Sequence, residues 1–586
     1  MLDKRRLPFT SLVELLARRA AEQGDERTCV FLSDKGDEEA SLTFRELQRR
    51  AAAVATRLRR SSNPGDRALL LFGPGLDFII GYFGCVLAGV IPVPMMLPRR
   101  NSSLDSSASI VANCTPRFVI TNARVRTARP DLGDRFSQPQ MQWFTVDEAA
   151  EPSGEAEQEM PMPRPDDIAF LQYTSGSTSD PKGVMVTHGN LIENLEMLRL
   201  GLRNTRQSTY ASWVPLYHDM GLIANVLQSM YLGSLCVLLA PLTFMQRPLS
   251  WLHAIHRYRA EVAGAPNFAF DLCVQRFRAD QMRDVDLSCW KVAFNGAEPV
   301  RAETLDRFSA TFRPYGFDPR AMHPQYGMAE ATVCVSSGHR GAGPVIRAIS
   351  VEAFRRNQIA APAGRDDTLR VVGCGKNVPG QRMAIVDMQT RRRLPADCIG
   401  EVWLSGPHIC KGYWQNPEAT RATFEARIEG DEDNGPWLRT GDLGFMDKAG
   451  ELFVTGRSKD MIIVRGMNYY PQDIEKTVYD SHPALRRHCG AAFSVLTDTG
   501  ERVVLVQEVE RTHRRGLDIE EIIACIREAV ANEHEIALDT IVLIRPGAIP
   551  KTTSGKIQRS LARQMWLQNS FEPMDATQIQ AEGVQF

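Results

Sequence analysis

The sequence predicts an α/β fold: a large N-terminal part of two helix-covered sheets with a β-rich subdomain, then a small α+β domain at the C-terminus. Three observations carry that prediction. Apolar strand-like runs alternate with amphipathic helical patterns through roughly the first 330 residues, the signature of parallel sheets covered by helices. Over 373–446 the pattern changes to short strands between Gly/Pro turns. After Gly456-Arg457-Ser458-Lys459-Asp460, strand and helix signals resume in a stretch of about one small domain. The expected parts are 1–458, with the β-rich subdomain at about 373–458, then 459–568 and a polar, frayed tail over 569–586.

Taken in order, Ser11 and Glu14 fit an S-x-x-E capping box that opens a helix with Leu12, Leu15 and Leu16 on one face. Lys4, Arg5 and Arg6 before that apolar stretch imitate a signal peptide, but Glu14 interrupts it and no small-residue cleavage site follows. Over 43–58, Leu47, Ala51, Val54 and Leu58 share a helix face. The apolar run 68–97 is long enough to raise a membrane span, yet Asp77, several glycines, Pro92 and Pro94 break it into strand, helix and strand. A Gly/Ala/Pro/Arg-rich segment, 341–367, reads as a surface insertion. Beyond the 456–460 string come a strand at 461–464, a helix opening near Pro471, two further strands and a helix near 519–532.

Composition narrows the function. The 586 residues carry 69 Lys+Arg and 70 Asp+Glu, a net charge of −1, which argues against a nucleic-acid binder. A hydrophobic share of 43% and a charged share of 24% allow a packed core. Twelve cysteines without a CxxC pair read as small core hydrophobes of a cytoplasmic protein, not as zinc or redox sites. His253 and His256 stand three apart in a helical pattern, but no third ligand accompanies them and a metal pair is rejected.

The sharpest chemical signal is Tyr173-Thr174-Ser175-Gly176-Ser177-Thr178-Ser179-Asp180-Pro181-Lys182-Gly183, directly after an apolar strand at 168–172. Glycines permit close backbone approach, hydroxyls donate hydrogen bonds and a lysine adds charge, as a phosphate-holding loop requires. The spacing is not that of a Walker loop.

This string, with Gly296-Ala297-Glu298, Tyr326-Gly327-Met328-Ala329-Glu330, Arg439-Thr440-Gly441-Asp442, Gly456-Arg457-Ser458-Lys459-Asp460 and Pro550-Lys551-Thr552-Thr553-Ser554-Gly555-Lys556-Ile557, resembles the adenylate-forming superfamily along nearly the whole chain. The resemblance implies attack of a carboxylate on the α-phosphate of ATP. On that basis Thr174, Ser175, Gly176, Ser177, Thr178 and Lys182 hold the departing phosphates, and Glu330 with Thr174 places Mg²⁺. Tyr326 stacks on adenine beside the Gly296-Ala297-Glu298 turn, and Gly327, Met328 and Ala329 belong to the same nucleotide wall. Asp442 accepts from the ribose hydroxyls and Arg457 steadies ribose or phosphate. Lys556 bridges carboxylate and α-phosphate, delivered by a mobile C-terminal domain that turns about Lys459. Read alone, Asp442 is a turn residue, Lys556 a solvated charge, and Glu298 a helix cap whose turn still lines the adenine pocket.

Further strings narrow the resemblance to the fatty acyl-AMP ligases, which pass acyl groups to carrier proteins: Trp213-Val214-Pro215-Leu216-Tyr217-His218-Asp219-Met220-Gly221-Leu222, Ala265-Pro266-Asn267-Phe268-Ala269-Phe270 and Arg465-Gly466-Met467-Asn468-Tyr469-Tyr470-Pro471. Ser179 departs from the usual loop glycine and Ala329 from the usual threonine; the latter is usage of this branch, which also carries an insertion near 341–367. The resemblance puts His218 at the mouth of the acyl pocket and implies a tunnel wall from the segment 223–230 with Met245 and 268–270. Ile223, Met245, Phe268 and Phe270 are its named candidates, and plain core is the equal alternative. The implied reaction is fatty acid plus Mg-ATP to acyl-AMP and pyrophosphate, then transfer to the phosphopantetheine thiol of a separate acyl carrier protein or synthase module. An acyl-CoA synthetase, a catalytically silent nucleotide- or acyl-binding protein, and an amino-acid adenylation enzyme with Asp219 meeting the ammonium are the alternatives.

Overall fold

The computed structural model describes residues 7–98, 107–136, 141–148, 162–174, 181–431, 435–464, 467–497, 500–511, 517–552 and 555–574. Its first helix, Leu12–Gln23, buries Leu12, Leu15 and Leu16. The capping box there is half formed: Glu14 N donates to Ser11 Oγ at 3.1 Å, but the Glu14 carboxylate turns to Thr10 N and Oγ1, each at 2.7 Å. The next helix, Phe44–Arg59, has the complete reciprocal box between Thr43 and Glu46 and buries Leu47, Ala51, Val54 and Leu58.

The apolar run at 68–97 resolves into the strand Arg67–Leu71, the helix Asp77–Ala88 and the strand Ile91–Met95, joined as a parallel pair. Pro92 and Pro94 are tolerated because Ile91–Met95 is the edge of its four-stranded sheet. No helix among the described residues is long and apolar enough to cross a membrane.

A nine-stranded sheet forms the second layer. At its centre the strands Cys236–Leu239, Tyr210–Ser212, Val262–Ala265, Val292–Asn295 and Met322–Tyr326 lie side by side and parallel. Parallel strands all end on one side of a sheet, so the segments that follow them are gathered along one edge. A separate antiparallel sheet takes Arg382–Val386, Gly400–Ser405, Leu438–Met446 and Leu452–Arg457 in that order.

The segment read as a surface insertion contains the strand Ile346–Ser350 and the helix Val351–Arg355. It is not wholly surface. Phe354 is buried with its ring 5.1 Å from Tyr470, and Arg355 Nη2 donates to Glu533 O at 2.9 Å. The segment therefore also serves as a seat for the chain beyond 460.

In that C-terminal part, Leu485–Thr497 and Gly500–Val509 run antiparallel, and Thr540–Ile544 joins Gly500–Val509 in parallel. Alternation decides both faces: Val503 and Leu505 pack with the helices Pro471–Ser481 and Ile519–His534, while Val504 and Val506 pack with the helix Arg559–Leu567. The sequence reading leaves out the third strand and the last helix. The polar tail also begins later than Asn569, because Phe571 is buried and Met574 N donates to Leu543 O at 2.9 Å.

Candidate active site

Four central strands deliver four of the sequence strings to one edge. Tyr210–Ser212 leads into Trp213 to Asp219, Val262–Ala265 into Pro266-Asn267-Phe268, Val292–Asn295 into Gly296-Ala297-Glu298, and Met322–Tyr326 into Gly327 to Glu330. Each of the last two turns has a glycine pressed against neighbouring backbone. A Cβ on Gly296 would stand 2.8 Å from Gln325 O, and one on Gly327 would stand 1.7 Å from Val333 O. Only glycine fits at either place. Ala297 between them holds a left-handed φ of 68°, a conformation that costs a non-glycine residue on the order of 1 kcal/mol.

Tyr326, Asp442 and Arg457 form one constellation. Asp442 and Arg457 are register partners on adjacent antiparallel strands, so their side chains meet, with Arg457 Nε 3.3 Å from Asp442 Oδ1. Tyr326 donates its hydroxyl to Asp442 Oδ2 at 2.7 Å. Asp442 raises the already high Arg457 value, and burial followed by the Asp442 charge pushes the Tyr326 phenol well up.

Glu330, within electrostatic reach of Arg457 and Asp442, accepts the Tyr413 hydroxyl at 2.9 Å. Burial pushes its carboxyl above the usual carboxylate range, outweighing the Tyr413 hydrogen bond and the Arg457 charge. Lys182 Nζ lies 4.8 Å over the Tyr413 ring. Tyr413 thus ties the lysine of the hydroxyl-rich string to Glu330, a role absent from the sequence reading. The available signal was an aromatic pair, Tyr413-Trp414, just ahead of the Asn416-Pro417 helix start.

The hydroxyl-rich string begins on the strand Ile168–Thr174 and ends on Lys182–Thr187, which pair antiparallel with Thr174 opposite Lys182. It therefore connects two paired antiparallel strands, whereas a phosphate loop of the helix-opening kind leads from a strand into a helix. Ser175, Gly176, Ser177, Thr178, Ser179 and Asp180 lie outside the described residues, as does Gly466.

Lys556 enters from the C-terminal part. Lys551 and Ile557 bridge, Thr552 N donates to Lys556 O at 2.7 Å and Lys556 N to Thr552 Oγ1 at 3.0 Å, a tight hairpin with Lys556 near its tip. Burial lowers the Lys556 ammonium value and Arg457 repels it further, while Asp219, Glu298 and Asp442 draw it back up. Arg559 anchors the hairpin's far side, holding Glu475 at 2.7 and 2.8 Å and Asp460 at 3.4 Å, next to the exposed Lys459.

His218 lies with Nδ1 2.7 Å from Asp219 Oδ1, which also accepts Met220 N at 2.6 Å. Burial raises the Asp219 carboxyl, but His218 and Lys556 pull harder and leave it low. Asp219 is thus already engaged by His218 and lies within electrostatic reach of Lys556. Glu298 accepts Phe268 N at 2.6 Å at the start of the helix Asn267–Gln275, so its carboxylate is the helix cap that the sequence left open, close enough to act on Lys556.

The acyl-pocket candidates separate. Phe268 packs edge-on against Trp213, and its ring is 3.6 Å from where a Gly555 Cβ would be, so it borders the Lys556 hairpin. Ile223 is fully buried in the main core. Phe270 is core, ringed by Trp251, Trp290 and Phe308. Met245 is 48% exposed, on the surface rather than in a closed wall. Pocket walls and cores share a composition, so only packing distinguishes them. His256, one of the rejected metal pair, accepts Asp286 N at 3.0 Å.

Comparison with known proteins bears on the same elements. A family model described as AMP-binding enzyme matches residues 16–414, and one described as Disco-interacting protein 2-like, AMP domain, matches residues 459–576. The chain is 41% identical to the medium-chain-fatty-acid–[acyl-carrier-protein] ligase JamA of Moorena producens over 97% of each protein, and 33% identical to the ligase of the same description, TtuA, of Teredinibacter turnerae over 96% and 94%. A solved fatty acyl-adenylate ligase from L. pneumophila, in complex with acyl adenylate and pyrophosphate, superposes with a TM-score of 0.73 at 37% identity, covering 97% of this chain and 98% of that one.

Proposed function

The chain belongs to the AMP-binding enzyme family, and from that premise we propose that it activates a fatty acid with ATP and hands the acyl group to the phosphopantetheine thiol of an acyl carrier protein. In the first step a carboxylate oxygen attacks the α-phosphorus, the bond to the β-phosphate oxygen breaks and pyrophosphate leaves. In the second the thiol sulfur attacks the acyl carbon, loses its proton to solvent and expels AMP.

What carries this reading is the convergence at the strand ends: Lys556, Arg457, Asp442, Asp219 and Glu298 lie within electrostatic reach of one another. Two anions must meet there, and fixed cations in a sheltered site are the chief means of stabilising such a transition state. Lys556 takes the charge between carboxylate and α-phosphate, Asp442 the ribose, Arg457 ribose or phosphate, and Lys182 with the 174–178 string the pyrophosphate. The base is assigned to Tyr326, beside the closely packed turns at Gly296 and Gly327, and Asn295 Oδ1, buried without a partner among the described residues, offers it an acceptor. Glu330, a half-buried carboxylate, fits an oxygen-seeking cation; with Thr174 it would hold Mg²⁺, whose charge would offset that of the phosphates. The part from Lys459 onward delivers Lys556 for the first step and turns about Lys459 for the second.

The test is mass spectrometry of the products from purified protein, ATP-Mg and a fatty-acid panel, with holo carrier protein or coenzyme A. The two relatives named for medium-chain acids put those acids first in the panel. Acyl adenylate and loaded carrier are the expected products. Efficient acyl-CoA formation would select an acyl-CoA synthetase, and no acid-dependent adenylate with any acid would select a silent binding protein.

A further inference from the structure

A run of side-chain hydrogen bonds outside the reacting groups leads from the adenine-side turn to the Lys556 hairpin. Asn295, just before Gly296, donates Nδ2 to Asn267 Oδ1 at 3.2 Å. Asn267 donates to Thr304 Oγ1 at 3.1 Å, and Thr304 to Asp271 Oδ2 at 2.9 Å. Asp271, its side chain 4% exposed, also takes Arg307 at 2.6 Å and lies 3.4 Å from His488 Nε2 of the C-terminal part. A second arm leaves Asn267 at the same oxygen, which accepts Arg301 N at 3.2 Å; Arg301 then donates to Tyr479 Oη at 2.8 Å and Gln472 O at 2.9 Å. On the far side, Lys551 Nζ donates to His488 O at 2.8 Å, at the base of the hairpin that carries Lys556.

His488 is set up for this contact at some cost. Its φ of 56° is left-handed, and it falls where the pairing of Leu485–Thr497 with Gly500–Val509 loses register between Leu485 and Gly490. An unfavourable backbone for a non-glycine residue persists where surroundings over-determine it. Here the surroundings are the Tyr479 ring at 5.1 Å and the buried Asp271 carboxylate, which the Arg307 guanidinium and the His488 imidazole both face.

We propose that Asp271 and His488 form a latch that holds the C-terminal part where Lys556 meets the site, with Asn267 and Thr304 linking that latch to the nucleotide turn. They are positioning residues, because neither reaches the reacting atoms. The latch rests on the two-step reading above. Its consequence is selective: opening it weakens adenylation, which needs Lys556 docked, and spares acyl transfer, which needs it withdrawn.

The experiment compares wild type, His488→Ala, Asp271→Asn and the double variant in fatty-acid-dependent ATP–pyrophosphate exchange, and separately in transfer from supplied dodecanoyl adenylate to a holo acyl carrier protein. Exchange is expected to fall about tenfold in each single variant and no further in the double, with transfer unchanged or faster. His488→Gln, which keeps a donor, should recover part of the exchange. Additive losses, equal losses in both reactions, or no change in exchange would overturn the latch while leaving the two-step reading standing. Wild type that shows no exchange with any fatty acid would overturn that reading and the latch with it. Thermal unfolding of each variant separates loss of fold, which lowers both reactions, from loss of docking.

Discussion

The two halves of the site are held in opposite ways. Tyr326 ends a strand and Asp442 lies within one, where backbone ladders fix each position, and Glu330 follows in the short helical turn Ala329–Ala331; the Tyr326 and Tyr413 hydroxyls then fix the Asp442 and Glu330 carboxylates. Lys556 stands on a short hairpin whose carrier touches the rest of the chain through a few polar contacts, among them Arg301 to Tyr479, Asp271 to His488 and Arg355 to Glu533, and the Phe354–Tyr470 ring pair. Contacts of that kind are worth on the order of 1 kcal/mol each. A binding wall gains from rigidity, whereas a group needed for one of two steps must be able to leave. On the proposed two-step reaction, the difference would keep the nucleotide wall permanent and the decisive cation removable.

The strongest way to break the comparison is Lys556→Ala. Adenylation should fall on the order of 10²–10³-fold, as when a single preorganised charge is removed from a transition state, while transfer from supplied acyl adenylate persists. Near-normal pyrophosphate exchange would remove Lys556 from its role. Asp442→Asn probes the fixed wall: it loses its negative charge beside Arg457 and Tyr326, and KM for ATP should rise about tenfold or more, with a smaller change for the fatty acid. Unaltered ATP dependence would count against the ribose role.

A subtler effect comes from Glu330. Before Mg²⁺ binds, burial raises its carboxyl, so protons compete with the metal for it and the Mg²⁺ concentration needed for adenylation should rise as pH falls. Tyr413→Phe removes a hydrogen bond that favours the carboxylate, so that rise should set in at higher pH, with about a tenfold loss at most at neutral pH. Matching profiles for wild type and variant would detach Tyr413 from Glu330.

The smallest expected effect is on the movable side. Asp473, in the first turn of Pro471–Ser481, is pushed up to about 6, mainly by burial and against the pull of Arg301 and Lys476. A raised carboxyl favours the folded state fully below the ordinary carboxylate value and loses that contribution as pH rises through 6. Asp473→Asn should therefore unfold at a slightly higher temperature than wild type at pH 8, and the gain should vanish near pH 4. An equal shift at both values would point to some cause other than charge.

Much of this was legible in the chain itself. The α/β class followed from alternating periodicities, and the strings around Glu330, Asp442, Arg457 and Lys556 named the reaction because each keeps a charge beside a turn that only certain residues can make. Contacts between distant segments were not legible. Glu298 capping Phe268, Tyr413 bridging Lys182 to Glu330, and Phe270 lying in core rather than against substrate all depend on which surfaces fold together, and apolar composition is the same in either place. The sequence alone determined which chemical groups this protein possesses and in what order, since composition and local turns are properties of neighbouring residues. Only the tertiary structure decided where those groups meet, because parallel strands gather segments far apart in the chain along one edge, and a small docked domain brings Lys556 to them.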